Sequence, residues 1–83
     1  MGRRVTFADR AKTDLRAIPQ ETAIQILHTL ARFLDSEDGD VKKLQGIVPP
    51  LYRLRAQDYR VMFRDRGTHI EVTRVQNRRD AYR

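Results

Sequence analysis

The spacing of apolar residues changes along the chain, and each change marks a different kind of element. In Arg3-Arg4-Val5-Thr6-Phe7 the apolar positions alternate, which predicts a short strand over residues 3–7. From Asp9 the period lengthens. Ala11, Leu15 and Ile18 recur at i, i+4 and i+7, the stripe of an amphipathic helix. Pro19 ends that helix, because proline disfavours helical backbone in the residue before it. A second helix begins near Gln20. Its expected inner stripe is Ala23, Leu27, Leu30 and Leu34, widened by Ile24, Ile26 and Ala31, and Asp38-Gly39-Asp40 is its stop signal. The short link at Pro19 predicts an antiparallel helical hairpin.

Residues 41–50 read as a connector. Lys42-Lys43-Leu44-Gln45-Gly46 precedes Ile47-Val48-Pro49-Pro50, and paired prolines suit neither a helix interior nor a central strand. The period then becomes two. Tyr52 and Leu54 alternate with Leu51, Arg53 and Arg55; Tyr59, Val61 and Phe63 alternate with Arg60, Met62 and Arg64; Ile70 and Val72 alternate with Glu71 and Thr73. Turns at Ala56-Gln57-Asp58 and Asp65-Arg66-Gly67 make these runs a three-stranded meander. From Arg74 onward the pattern reads as a strand end followed by a polar tail.

The order β-α-α-β-β-β predicts one α+β domain over residues 1–83, with the helical hairpin on one face of a mostly antiparallel sheet. Side chains two apart on a strand share a face. If the helices cover Tyr52, Leu54, Val61, Phe63, Ile70 and Val72, then Arg53, Arg55, Arg60 and Thr73 occupy the uncovered side.

Charge sharpens this picture. Residues 1–40 carry a net charge of −1 and residues 41–83 a net charge of +7, and nine of the eleven basic residues in the second half are arginine. Arginine grips phosphate bidentately and stacks on bases, so the asymmetry implies a polyanionic partner. There is no cysteine, which excludes disulfides and thiolate metal sites. The N-terminus lacks the apolar run of a signal peptide and no segment has the length of a membrane span, so a cytoplasmic protein away from membranes is expected.

Arg53, Arg55 and Arg60 are the first candidates for chemistry, as a cluster able to stabilise a phosphodiester in its transition state. Arg78 and Arg79 add cations near the end of the chain, and Tyr82 adds a ring of the kind that stacks on unpaired bases. Lys42 and Lys43 read as charges that steer an RNA backbone. His28 is expected on a helix surface or half-buried, and His69 in solvent beside a turn; neither lies among carboxylates at metal-binding spacing. No phosphate-binding glycine loop, nucleophile triad or pair of hydrolytic carboxylates is present, so no metal and no cofactor are expected.

Three stretches together resemble RelE-type toxins of the RelE/ParE toxin–antitoxin superfamily. They are Lys43-Leu44-Gln45-Gly46, then Leu51-Tyr52-Arg53-Leu54-Arg55 with Asp58-Tyr59-Arg60-Val61-Met62-Phe63, and the closing Val75-Gln76-Asn77-Arg78-Arg79-Asp80-Ala81-Tyr82-Arg83. Ala11, Leu15, Ile18 and Pro19 extend the resemblance over nearly the whole chain. It implies a ribosome-dependent endoribonuclease that cuts mRNA without a metal. The ribose 2′-hydroxyl attacks the adjacent phosphate, leaving a 2′,3′-cyclic phosphate and a 5′-hydroxyl.

It also implies a cognate antitoxin as partner, and roles for particular residues. Arg53 and Arg55 match two basic positions of the active strand, Arg60 the arginine on the phosphate, Arg78 the one near the leaving oxygen, and Tyr82 the terminal tyrosine that orients or stacks on the substrate. RelE-type relatives carry lysine where Arg53 and Arg55 stand, and many carry histidine where this chain has Asn77. Because arginine does not give up its proton, the resemblance assigns Arg55 electrostatic stabilisation. Asp80 and Tyr82 are then the candidates for proton transfer. Two other functions fit the same pattern: inhibition of DNA gyrase, as by ParE-like toxins, and non-catalytic binding to RNA or the ribosome.

Overall fold

In a computed structural model, which describes residues 3–79, the elements run β1 (Arg4–Phe7), α1 (Asp9–Ala17), α2 (Gln20–Ser36), β2 (Val41–Lys43), β3 (Tyr52–Ala56), β4 (Tyr59–Asp65) and β5 (His69–Asn77). They form a five-stranded sheet in the order β1-β5-β4-β3-β2. All neighbours are antiparallel except β1 and β5. The α+β arrangement is the expected one, with a strand added.

That strand is β2, which lies within the stretch read as a connector. Val41, Lys42 and Lys43 pair with Leu54, Arg53 and Tyr52. Three residues carry too little periodicity to announce a strand. The pairing is licensed by the free edge of β3, which no local pattern reveals. The prolines remain outside the sheet, in residues 44–51. β5 continues through Arg74 and ends at Asn77, within the segment read as a strand end.

The core draws on both helices and three strands. Ala11, Ile26, Leu30, Leu54, Ala56, Val61, Phe63, Ile70, Val72 and Val75 are buried. Tyr52 and Phe33 both lie 5.4 Å from Phe63, the first stacked and the second tilted. This aromatic trio seals the core near β3 and β4.

α2 keeps Leu30 and Leu34 of the inner stripe its sequence suggests but turns the rest of that stripe partly outward. Ile26 and Leu30 point inward and Phe33 packs against the core, whereas Leu27, Ile24 and Ala31 are exposed. The helix is apolar over so wide an arc that periodicity admits either face, and contact with β3 selects one. The helix stops at Glu37, one residue before the anticipated signal. Glu37 adopts left-handed backbone (φ 58°) and its N–H donates to the Phe33 carbonyl at 2.8 Å.

Candidate functional site

The hairpin of β3 and β4 positions the basic residues. Its two-residue loop, Gln57–Asp58, is permitted by left-handed backbone at Gln57 (φ 57°) and sets the register. Leu54 pairs with Val61 on the core side, so Arg55 falls directly opposite Arg60, and Arg53 opposite Met62. Since Leu54, Ala56, Val61 and Phe63 are buried beneath the helices, Arg53, Arg55 and Arg60 lie on the other face of the sheet, as strand parity predicts. Arg55 is exposed; Arg53 and Arg60 are half-buried.

Lys42 and Lys43 separate. Lys42 pairs with Arg53 and shares its face, while Lys43 pairs with Tyr52 and takes the opposite one. Successive residues of a strand point to opposite faces, so of the two lysines Lys42 lies on the face of Arg53 and Lys43 does not.

Arg78 and Arg79 follow β5 in a turn that the hairpin loop holds. The Arg78 N–H donates to the Asp58 carbonyl at 2.7 Å, and the Arg79 N–H donates to the Asn77 side-chain oxygen at 2.9 Å. Gln76 stands opposite Arg60 and Asn77 opposite Tyr59, so Arg78 sits at the same end of the sheet as Arg55 and Arg60. Asp58, Asn77, Arg78 and Arg79 line a shallow groove there. Tyr82 and Asp80 lie outside the described residues.

α1 anchors this end of the sheet. β1 pairs with β5 only as far as Phe7 and Val72, which leaves the outer edge of β5 open beyond that point. Asp14 closes it: its Oδ2 accepts the Val75 N–H at 2.9 Å and the Arg74 Nε at 2.8 Å. Burial pushes the Asp14 carboxyl up, but Arg74, the Val75 N–H and the charge of Arg10 outweigh it and hold it below the usual carboxylate range. Thr73 occupies a bulge, where its hydroxyl donates to the Met62 carbonyl at 3.2 Å. The extra residue restores the core parity of Val75 after Val72.

Asp40 Oδ1 lies 3.7 Å from Arg53 Nη2, outside hydrogen-bond range. The register gathers basic residues at one end of the sheet, with Arg55 opposite Arg60 and Arg78 at the margin. Among the described residues no three His, Cys, Asp or Glu side chains gather as a metal site, and no helix is long and apolar enough to cross a membrane. His28 is exposed, and His69 Nδ1 is 3.0 Å from the Thr68 hydroxyl.

A family model described as the ParE toxin of the type II toxin–antitoxin system parDE matches residues 5–82. The chain belongs to the ParE toxin family. Within the wider RelE/ParE superfamily its fold has close solved counterparts. A chain of the RelB–RelE antitoxin–toxin complex from Methanococcus jannaschii is 26% identical, with 92% of this toxin and 93% of that chain covered and a TM-score of 0.74. A chain of the archaeal RelE–RelB complex from Pyrococcus horikoshii OT3 is also 26% identical, with 94% and 97% covered and a TM-score of 0.72. YoeB from Staphylococcus aureus, at 17% identity, shares the fold (TM-score 0.73, with 92% and 97% covered). Curated protein sequences provide no match.

Arg64 joins the toxin's open-face arginines. It occupies the same parity as Arg60 and Met62 on β4, and so belongs to the open face. One more step of the same alternation places it there. What alternation cannot show is whether a neighbouring acid neutralises it.

Proposed function

We propose that this toxin is a ribosome-dependent, metal-independent endoribonuclease that cleaves mRNA. The observation that carries the reading is the direct opposition of Arg55 and Arg60 on the open sheet face, with Arg78 at the same end. Like charges directly across a ladder destabilise a sheet. Their opposition fits a site whose partner is an anion with two acceptor oxygens, such as a phosphodiester.

In this reading the 2′-oxygen attacks phosphorus, a P–O2′ bond forms and the P–O5′ bond breaks. The products are a 2′,3′-cyclic phosphate and a 5′-hydroxyl. Charge builds on the non-bridging oxygens as the pentacovalent state forms. Arg55 and Arg60 stabilise it with planar donor forks, and Arg53 adds positive potential. Arg78 stabilises the leaving 5′-oxygen, and Arg79 and Lys42 steer the backbone. Guanidinium charge thus does the electrostatic work that bound cations do in other nucleases. Arginine stays protonated, so the 2′-hydroxyl proton passes to another group. Asp80 and Tyr82 are the residues assigned to proton transfer, Tyr82 also stacking on a base. Dependence on the ribosome places the reaction in the cytoplasm.

A cognate antitoxin completes the module. The RelE-type chains of similar fold were solved as complexes with RelB antitoxins. An acidic or amphipathic antitoxin segment that neutralises the arginine face is the matching partner here.

The ParE name of the matching family favours one other reading, inhibition of DNA gyrase. Primer extension on mRNA from cells expressing the toxin, with gyrase supercoiling assayed in parallel, separates the two. Discrete in-frame mRNA breaks with unimpaired supercoiling are expected. Intact mRNA with inhibited supercoiling overturns the ribonuclease reading.

A further inference from the structure

Two arginines on the open face, Arg53 and Arg64, have a buried Nε with no hydrogen-bond partner among the described residues. Both side chains stay charged at any physiological pH. Each has an acid nearby that fails to satisfy it. Arg64 stands opposite Glu71 in the β4–β5 register. Yet Glu71 Oε1 already accepts both the Nε and the Nη2 of Arg66, at 3.2 and 2.8 Å. Arg53 approaches Asp40 only to 3.7 Å, and that carboxylate is well exposed to water.

A buried donor left unpaired costs stability, and a charged one costs more. Two on one face are therefore a cost that no hydrogen bond among the described residues offsets. Their positions give the cost a use. Arg53 pairs with Met62, so Arg64, two residues beyond Met62, is its diagonal neighbour at about 7–8 Å, within reach of long side chains. Measured along the strands, Arg53 lies about 7 Å and Arg64 about 13 Å from the Arg55–Arg60 row, both on the side away from the hairpin loop. The four arginines thus form two pairs in line along β4.

We propose that Arg53 and Arg64 form a second phosphate site, which holds a neighbouring phosphodiester of the same RNA strand while Arg55 and Arg60 act on the scissile one. This rests on the endoribonuclease reading and gives that site a direction: the strand runs along β4 from the Arg78 end toward Asp65. Arg64 is a positioning residue. It touches no reacting atom, and its contribution is affinity and register.

The test is single-turnover mRNA cleavage on programmed ribosomes, at varied toxin and salt concentrations, for the parent, Arg64→Ala, Arg64→Gln and Arg64→Lys. Arg16→Ala, which removes an exposed charge from α1, controls for net charge. Arg64→Ala and Arg64→Gln should raise the half-saturating toxin concentration about 10- to 100-fold, the range for a charged hydrogen bond. The maximal rate should stay within about threefold, and the salt slope of binding should fall by about one. Arg64→Lys should restore the slope and part of the affinity. Circular dichroism melts should show Arg64→Ala at least as stable as the parent, since it removes an unpaired buried donor.

A half-saturation and salt slope no different from those of Arg16→Ala overturn the second site, as does a loss confined to the maximal rate. If the parent cleaves nothing, the ribonuclease reading fails by itself. The site is then judged by anisotropy of a short 2′-O-methyl oligoribonucleotide: weaker binding by Arg64→Ala than by Arg16→Ala supports it, and equal binding overturns it.

Discussion

Arg55 and Arg60 face each other across adjacent antiparallel strands, one residue pair in from the Ala56–Tyr59 pair that closes the hairpin. Their charges repel, and opposite-sign partners at such positions normally contribute favourably. Replacing Arg55 with threonine, a good strand former, should therefore stabilise the fold by about 0.2–1 kcal/mol while lowering mRNA cleavage. Urea unfolding checks the first effect and ribosome-programmed cleavage the second. A variant that loses both stability and activity would show that Arg55 is structural.

Arg60→Ala should lower the maximal cleavage rate more than any other single change in the arginine set, by about 100- to 1000-fold, with Arg78→Ala next. In the proposed mechanism Arg60 acts on the phosphate and Arg78 on the leaving oxygen, where charge develops. Arg55 shares the scissile phosphate with Arg60, and Arg53 lies toward the neighbouring one, so removal of either should cost less in maximal rate. Single-turnover rates of folded variants measure the order. Undiminished cleavage by Arg60→Ala would place the chemistry elsewhere.

Acid should weaken the fold in a way that two carboxylates govern. Hydrogen bonding from Arg3 and from the Gly67 N–H lowers Asp65 from 3.8 to about 2, and Asp14 is lowered too. A carboxylate whose pKa is lower in the folded chain stabilises it fully above its unfolded value. That contribution is lost as pH falls through the folded value. Stability should therefore decline from about pH 4 toward pH 2, and Asp65→Asn should flatten the decline. Asp65 and Arg3 are both partly exposed, so the amplitude of their pair should stay within about 1 kcal/mol. At neutral pH Asp14→Ala should cost about 1–3 kcal/mol, because it strands the Val75 N–H on an open strand edge. Thermal melts across pH measure both effects.

Gly39 should not tolerate alanine. Its φ of 150° is rarely adopted by residues with a side chain, and an added Cβ would meet Leu54 Cδ1 at 2.8 Å. Leu54 is fully buried, so it has little room to yield. Gly39→Ala should destabilise by about 1–3 kcal/mol, read from denaturant midpoints. An unchanged midpoint would mean that the segment before β2 repacks without cost.

Local alternation determined much of this protein. The period of two in β3 and β4 placed Arg53, Arg55 and Arg60 on one face, because successive strand side chains point opposite ways whatever the strand packs against. Pro19 separated the helices for an equally local reason, its effect on the backbone before it. The resemblance carried by Arg53, Arg55, Arg60 and the closing arginines pointed to the toxin family.

Relationships between distant residues were settled only by the tertiary structure. Which side of α2 turns inward, Ile26 and Phe33 or Ile24 and Leu27, depended on the sheet it met. β2 exists because β3 offered it an edge. Asp14 met Arg74 and Val75 only after α1 docked beside the open end of β5. Among the described residues the Arg64 Nε finds no acceptor, and Glu71, which stands opposite it, is held by Arg66 across a turn. Periodicity reports which way a side chain points; whether its charge is answered depends on competition among groups that the fold alone brings within hydrogen-bonding distance.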